Sequence, residues 1–306
     1  MVQGLETPMD DILYNGRMTA LDIAFSFGVC TTLANDAVLK HNCDPVSAHL
    51  LGRALTAGVL SSALLGGDER LNIQWKYDGH VKSILVDSGA DGSARGLISP
   101  TNLSEVATDR DGIYGDTGEL QVIRTRDGAV LNSGTIETGL ANVVEDLAYF
   151  FCHSDQVETE LSVMIGFNRD VERPVDLCQG IMLQALPACD LERFERIRTR
   201  LQDEQIRALL MKKNESDNHF ENILNALTRD ETEDPGLRIS NCGQPHFRCT
   251  CGREKMGPVL RAIPYIERME LARKKEDVVV NCQFCNTRYA LTLDECIRAW
   301  NNQPIG

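Results

Sequence analysis

Between Thr19 and Leu39, Leu21, Phe25, Val29, Leu33 and Ala37 recur four residues apart, a spacing that suits one face of a helix, with Ile23 off that face. A second helical stretch is predicted from Val46 to Leu65. Leu50, Leu51, Leu55, Val59, Leu60 and Leu64 lie on one side of it, and Gly66-Gly67 provides a C-terminal stop. The period then changes to two. Leu71, Ile73 and Trp75 project one way and Asn72, Gln74 and Lys76 the other, Asp78-Gly79 makes a turn, and Val81, Ile84 and Val86 restart an extended run. Segments 96–100, 119–124 and 161–167 read as further strands, and 138–151 as a helix. Strands and helices mix without a strict strand–helix–strand rhythm, which predicts an α+β domain over residues 1–189.

From Asp190 the pattern thins. Leu191, Phe194, Ile197 and Leu201 form a narrow apolar stripe on one predicted helix, and Phe220, Ile223, Leu224 and Leu227 form another. A polar loop, Asn214 to Asn218, joins them. Between Asp190 and Arg238, 12 residues are acidic and 9 basic, so the segment is far more charged than the chain as a whole. Helices with so little apolar surface depend on something to pack against, and residues 190–245 are read as a metastable helical linker. Asp234-Pro235-Gly236 breaks the pattern, and a small C-terminal module follows over 246–306.

Composition narrows the function. The 306 residues carry a net charge of −14, which disfavours partners with phosphate backbones or anionic lipid surfaces; neither nucleic acid nor a membrane is expected as a partner. No apolar run approaches the roughly 18 residues of a membrane span. The stretch Met1 to Asp11 lacks the basic-then-apolar layout of a secretory signal. A cytoplasmic protein is expected, and its eleven cysteines are then mostly reduced thiols.

Four of those cysteines are paired: Cys249-Thr-Cys251, then Cys282-Gln-Phe-Cys285. Two close pairs supply the four soft thiolates that tetrahedral zinc takes; an iron–sulfur cluster matches this spacing less well. A module of about sixty residues lies below the ~70–80 at which one core usually suffices. Structural zinc contributes on the order of 10–16 kcal/mol of apparent binding free energy, comparable to the whole stability of a domain at about 5–15 kcal/mol. If each pair instead closed a disulfide, loops of three or four residues would contribute only about 3–4 kcal/mol together. Oxidant would therefore remove the ligands and melt the module. Cys30, Cys43, Cys152, Cys178 and Cys189 read as small core residues or idle thiols, Cys242 and Cys296 as bystanders near the module, and His246 as a surface residue close to the first pair.

The stretches His246-Phe-Arg-Cys-Thr-Cys251 and Asn281-Cys-Gln-Phe-Cys-Asn-Thr-Arg-Tyr289 resemble the zinc signature of the heat shock protein 33 family, redox-regulated, ATP-independent holdase chaperones of the bacterial cytosol. The resemblance continues through Leu51-Gly-Arg-Ala-Leu-Thr-Ala57, Gly96-Leu-Ile-Ser-Pro100, Gly118-Glu-Leu-Gln-Val-Ile123, Ser154-Asp-Gln156 and Gln184-Ala-Leu-Pro187, and so covers essentially the whole chain. It departs at Asp155, where the family usually has Glu, and at Gln179-Gly180, where it usually has a glycine pair. The resemblance implies that reduced protein holds zinc through Cys249, Cys251, Cys282 and Cys285 and is inactive. Oxidation then forms Cys249–Cys251 and Cys282–Cys285 disulfides and releases the metal. The linker unfolds, and the protein binds unfolding client proteins, often as a homodimer.

Two other readings stay open on residues alone. Arg248, Arg253, Lys255, Arg261, Arg268, Arg273, Lys274 and Lys275 give the module local positive charge, which suits a structural zinc ribbon binding nucleic acid or a protein partner; Glu254, Glu267, Glu270, Glu276 and Asp277 interrupt it. Cys282-Gln-Phe-Cys285 has the spacing of a thiol oxidoreductase but no thioredoxin-like unit around it. No nucleophile triad, phosphate-cradling loop or paired carboxylates stand out, so no enzyme is expected.

Overall fold

The computed structural model describes residues 11–106, 109–213, 218–241 and 243–305. Cys242, residues 214–217 of the predicted polar loop, and the first ten residues lie outside them. The chain divides into two compact units, Met1–Arg248 and Cys249–Gly306.

The first unit opens with β1 (Ile12–Met18), β2 (Ile23–Val29), α1 (Thr31–Lys40) and α2 (Pro45–Ser62). After β3 (Glu69–Tyr77), β4 (Ser83–Gly89) and β5 (Ser93–Ser99) come α3 (Arg110–Tyr114), β6 (Gly118–Arg126), β7 (Ala129–Thr138), α4 (Val143–His153), β8 (Thr159–Phe167) and β9 (Val175–Ala185). The unit ends with α5 (Leu191–Arg200), α6 (Glu204–Leu210), α7 (His219–Thr228), β10 (Leu237–Asn241) and β11 (His246–Phe247). One sheet runs β10-β1-β2-β9-β8 and the other β11-β5-β4-β3-β6-β7. Every pairing is antiparallel except β11 against β5. The fold is α+β.

The helix α2 is apolar nearly all round because it lies inside the unit, packed against strands of both sheets. Asp44 caps it by accepting from the Ser47 amide at 2.8 Å. Two of its glycines set how closely the strands approach. A Cβ on Gly52 would lie 2.6 Å from Ile165 on β8, and one on Gly58 would lie 2.7 Å from Val86 on β4. Hydroxyls satisfy its polar groups, as where Ser26 donates to the Leu60 carbonyl and Ser88 to that of Gly58. The core formed here includes Leu51, Leu55, Ile73, Trp75, Val86 and Phe150, all essentially without solvent exposure.

The periodicity from Thr19 to Leu39 resolves into two elements rather than one helix. Ile23, Phe25, Phe27 and Val29 alternate along the strand β2, and only Leu33 and Ala37 lie on a helix, α1. A four-residue recurrence is also twice the strand period, so it does not separate the two structures; the β-branched and aromatic content of 23–29 does. The helix expected over 138–151 begins at Val143, because Thr138 ends β7 and Asn142 caps the helix by accepting from the Val144 amide.

The charged segment folds onto the outer face of the first sheet. Phe194, Ile197, Leu201, Ile206, Leu210, Phe220, Ile223, Leu224 and Leu227 are buried there against Met18, Ile23, Phe25, Phe27, Ile181 and Leu183. The Phe220 ring sits 5.6, 5.4 and 5.0 Å from the rings of Tyr14, Phe25 and Phe27. Glu231 closes the segment on itself: Arg196 grips it with two bonds of 3.1 and 2.9 Å and Arg200 with one of 3.0 Å. These arginines, Arg196 first, hold the Glu231 carboxyl below its ordinary pKa.

Candidate metal centre

The second unit contains a 3₁₀ turn (Arg253–Met256), α8 (Gly257–Ala262), α9 (Tyr265–Lys274), a hairpin of β12 (Val278–Asn281) and β13 (Arg288–Leu291), and α10 (Leu293–Trp300). Among the described residues its buried apolar cluster is Met256, Leu260, Leu291, Cys296, Ala299 and Ile305, with Cys282 buried besides. α10 starts on a complete capping box, Thr292 with Glu295. Glu295 also receives a two-pronged ion pair from Arg253 at 2.7 and 2.6 Å, which together with the Thr292 amide brings its carboxyl down to about 2.

Cys282 follows the last residue of β12, and the hairpin loop is closed by two backbone bonds. The Cys282 amide donates to the Thr287 carbonyl at 3.0 Å, and the Asn286 amide to the Cys282 carbonyl at 2.8 Å. Asn286 takes a left-handed conformation, φ 55°, which asparagine tolerates. The turn aims Cys282 and Cys285 at the segment that carries Cys249 and Cys251.

All four sulfurs meet within 4.8 Å of one another. Cys249 Sγ lies 3.7 Å from Cys282 Sγ, and Cys251 Sγ lies 3.3 Å from Cys285 Sγ. Four sulfurs about 2.3 Å from a tetrahedral centre would be about 3.8 Å apart, so the cluster has the size and donor chemistry for one soft divalent ion. Both of these contacts run between the sequence pairs rather than within them. The geometry therefore brings together all four residues singled out from the sequence without selecting a disulfide pairing.

The electrostatics of the cluster are uneven. At Cys285, burial opposes the thiolate, yet the Thr287 hydroxyl (3.1 Å away), the Thr287 amide and the neighbouring thiols outweigh it and bring the thiol down to about 7. Cys251 goes the other way, pushed up to about 12 by burial and by its neighbouring thiols, against the Tyr289 hydroxyl 3.1 Å away. The Thr287 hydroxyl and amide thus favour the thiolate at Cys285, and a bound cation would draw protons off the cluster.

Thr287 and Tyr289 were legible only as part of the zinc signature and Arg253 only as part of the module's positive charge, and Glu295 was not singled out. The Thr292-x-x-Glu295 spacing is a readable capping-box signal; nothing in the spacing marks the Tyr289 contact. Cys296 is fully buried in the small core and stands apart from the cluster. His246 is exposed on β11 in the first unit, its Nδ1 2.9 Å from the Gln244 carbonyl. Cys30 and Cys178 are buried, and Cys43, Cys152 and Cys189 half-buried; none of the five is disulfide-bonded.

Comparison with known proteins agrees with this architecture. A family model described as Hsp33 protein matches residues 11–292. A 33 kDa chaperonin of Clostridium botulinum (strain Loch Maree / Type A3) is 32% identical over 273 residues, 87% of this chain and 89% of that protein. Another, from Clostridium acetobutylicum, is 31% identical over 94% of this chain and 96% of its own length. The crystal structure of a 33 kDa chaperonin (heat shock protein 33 homolog) from Thermotoga maritima shares the fold, with a TM-score of 0.77 at 20% identity over 96% of this chain and 99% of that one. With two sheets around a central helix, four converging cysteines in a small terminal unit, and a family match over nearly its whole length, the chain belongs to the Hsp33 family, whose members are chaperones and not enzymes.

Proposed function

We propose that this chaperone is a cytoplasmic, redox-regulated holdase in which 249, 251, 282 and 285 are the cysteine ligands of a structural zinc ion. Residues 1–189, 190–245 and 246–306 would act as body, releasable cover and redox switch. When bound, zinc would supply the cross-link that this unit's six-residue core cannot provide. Each zinc-bound cysteine pair, as two thiolates, gives two electrons to an oxidant such as hypochlorous acid, which takes up one proton from solvent, yielding one disulfide, chloride and water. Sulfurs tied in a disulfide are no longer thiolate donors, so the second unit loses its cross-link. Through chain continuity this frees the segment after β11, which is only two residues long, and loosens the 190–245 cover. The apolar face of Met18, Ile23, Phe25, Phe27, Ile181 and Leu183 is then uncovered for unfolding clients, and the oxidised protein pairs as a homodimer.

One observation carries this reading: four thiols lie within 4.8 Å of one another in a unit whose buried apolar cluster is small. The test is to treat zinc-loaded protein with hypochlorous acid and measure suppression of aggregation of a heat-denaturing client, with disulfides mapped by peptide mass spectrometry. Suppression that appears on oxidation, with Cys249–Cys251 and Cys282–Cys285 linked, is the expected result. Unchanged aggregation after complete oxidation would contradict the holdase. Cross-links between the pairs would contradict the assigned pairing.

A further inference from the structure

A cleft of about 550 Å³ opens in the first unit between the start of α2, α3 and the end of β8. Its apolar wall includes Val46, Leu50, Ile113 and Phe167. Beside that wall lies Arg53, half-buried on α2. A buried guanidinium normally engages a carboxylate or several carbonyls, because its five donors are costly to leave dry. Arg53 makes one hydrogen bond among the described residues, from Nη2 to Asn142 Oδ1 at 3.0 Å. Burial accordingly lowers its pKa from the ordinary value.

The rest of the charge around the cleft is nearly spoken for. Arg110 donates to the carbonyls of Leu140 and Ala141 and stands 3.8 Å from Glu145, while Asp109 caps α3 by accepting from the Gly112 amide at 2.7 Å. His49, next to the Phe167 ring, is held neutral near pH 7 by burial and by Arg53. An adjoining cleft shares His49, Arg53, Arg110 and Asn142 and adds Arg207 and Gln202 from the charged segment. Three arginines against two carboxylates leave a single net positive charge, which suits a monoanion better than a dianion.

We propose that this cleft binds a small organic acid, its carboxylate on Arg53 and its apolar body along Val46, Leu50, Ile113 and Phe167. A planar carboxylate matches the open flank of a guanidinium in two parallel bonds, and mostly apolar concave walls are the usual housing for such a ligand. The adjoining cleft, which shares Arg53 and Arg110, is lined by Arg207 of α6, so an acid bound on Arg53 also favours the docked state of that helix by mass action.

The test uses reduced full-length protein and 4-phenylbutyrate followed by isothermal titration calorimetry, with neutral 4-phenylbutyramide as the paired probe. The expected result is saturable 1:1 binding of the acid that weakens at least tenfold for the amide and for Arg53→Met. Arg207→Gln, an exposed change that does not threaten the fold, should weaken binding severalfold, and the bound acid should slow hydrogen exchange over 204–210. Equal binding of acid and amide, or no saturable binding by wild type, would overturn the site. Binding without slower exchange over 204–210 would overturn its effect on α6. None of these readouts requires oxidation, so they stand apart from the redox proposal.

Discussion

Gln179 has no solvent exposure, and its side-chain amide donates to the carbonyls of Leu210 at 2.6 Å and Lys212 at 2.8 Å. This one residue of β9 thereby satisfies the C-terminal carbonyls of α6 and ties the charged segment to the sheet. Its replacement by alanine strands a buried acceptor, at a cost of about 1–3 kcal/mol. Faster hydrogen exchange over 204–212 in reduced Gln179→Ala is expected; unchanged exchange would mean the tie is idle. His49 gives a pH signature of the body. Burial, then the Arg53 charge, lowers its pKa to about 4, against about 6.5 when unfolded. The folded state therefore binds fewer protons than the unfolded one between these values, so His49's contribution is intact above about pH 6.5 and declines as pH falls toward 4. Melting temperature measured across that range should fall less steeply for His49→Gln than for wild type.

At the scale of elements, the cover over the first sheet is a stability balance that mutation can tip. Phe220→Ala removes a ring packed on three others, and such losses cost about 3–5 kcal/mol in a core. The reduced variant should suppress client aggregation without oxidant; a silent reduced variant would show that exposing this face is not what activates the protein. Glu231→Gln weakens the grip of Arg196 and Arg200 by about 1–2 kcal/mol, given the exposure of Arg196. It should speed limited proteolysis within 190–245. The amphipathic stripes of α5 and α7 were legible because each repeats at helical spacing over ten residues. α6 was not, since its seven residues bury only Ile206 and Leu210. β10 and β11, five and two residues long, give no alternation to read; their placement depends on register with β1 and β5, which is a tertiary matter. β2 was misread because its recurrence fits both periods, whereas β3 was clear because only one of its faces is fully buried. The four cysteines were legible because thiol chemistry needs only proximity, and the Cys-x-Cys and Cys-x-x-Cys spacers ensure it locally. Arg53 was passed over because a lone arginine on an apolar helix gives no sign of how few partners the fold will supply.

At the scale of the whole molecule, the chain is acidic, with a net charge of −14, and no helix among the described residues is long and apolar enough to cross a membrane. The second unit has fewer than sixty residues, and its buried apolar cluster among the described residues has six side chains, too few to offset chain entropy without a cross-link. Removing metal from reduced protein with a strong chelator should therefore melt α8, α9 and α10, seen as lost far-UV circular dichroism and regained on adding zinc. The most direct test of the account follows metal and structure in one sample: one equivalent of zinc in the reduced chain, its release under hypochlorous acid, and hydrogen exchange over 191–228 at matched times. The account predicts that protection over 191–228 falls as zinc is released. Complete release with that segment still protected, or a reduced chain that is fully ordered without metal, would contradict it.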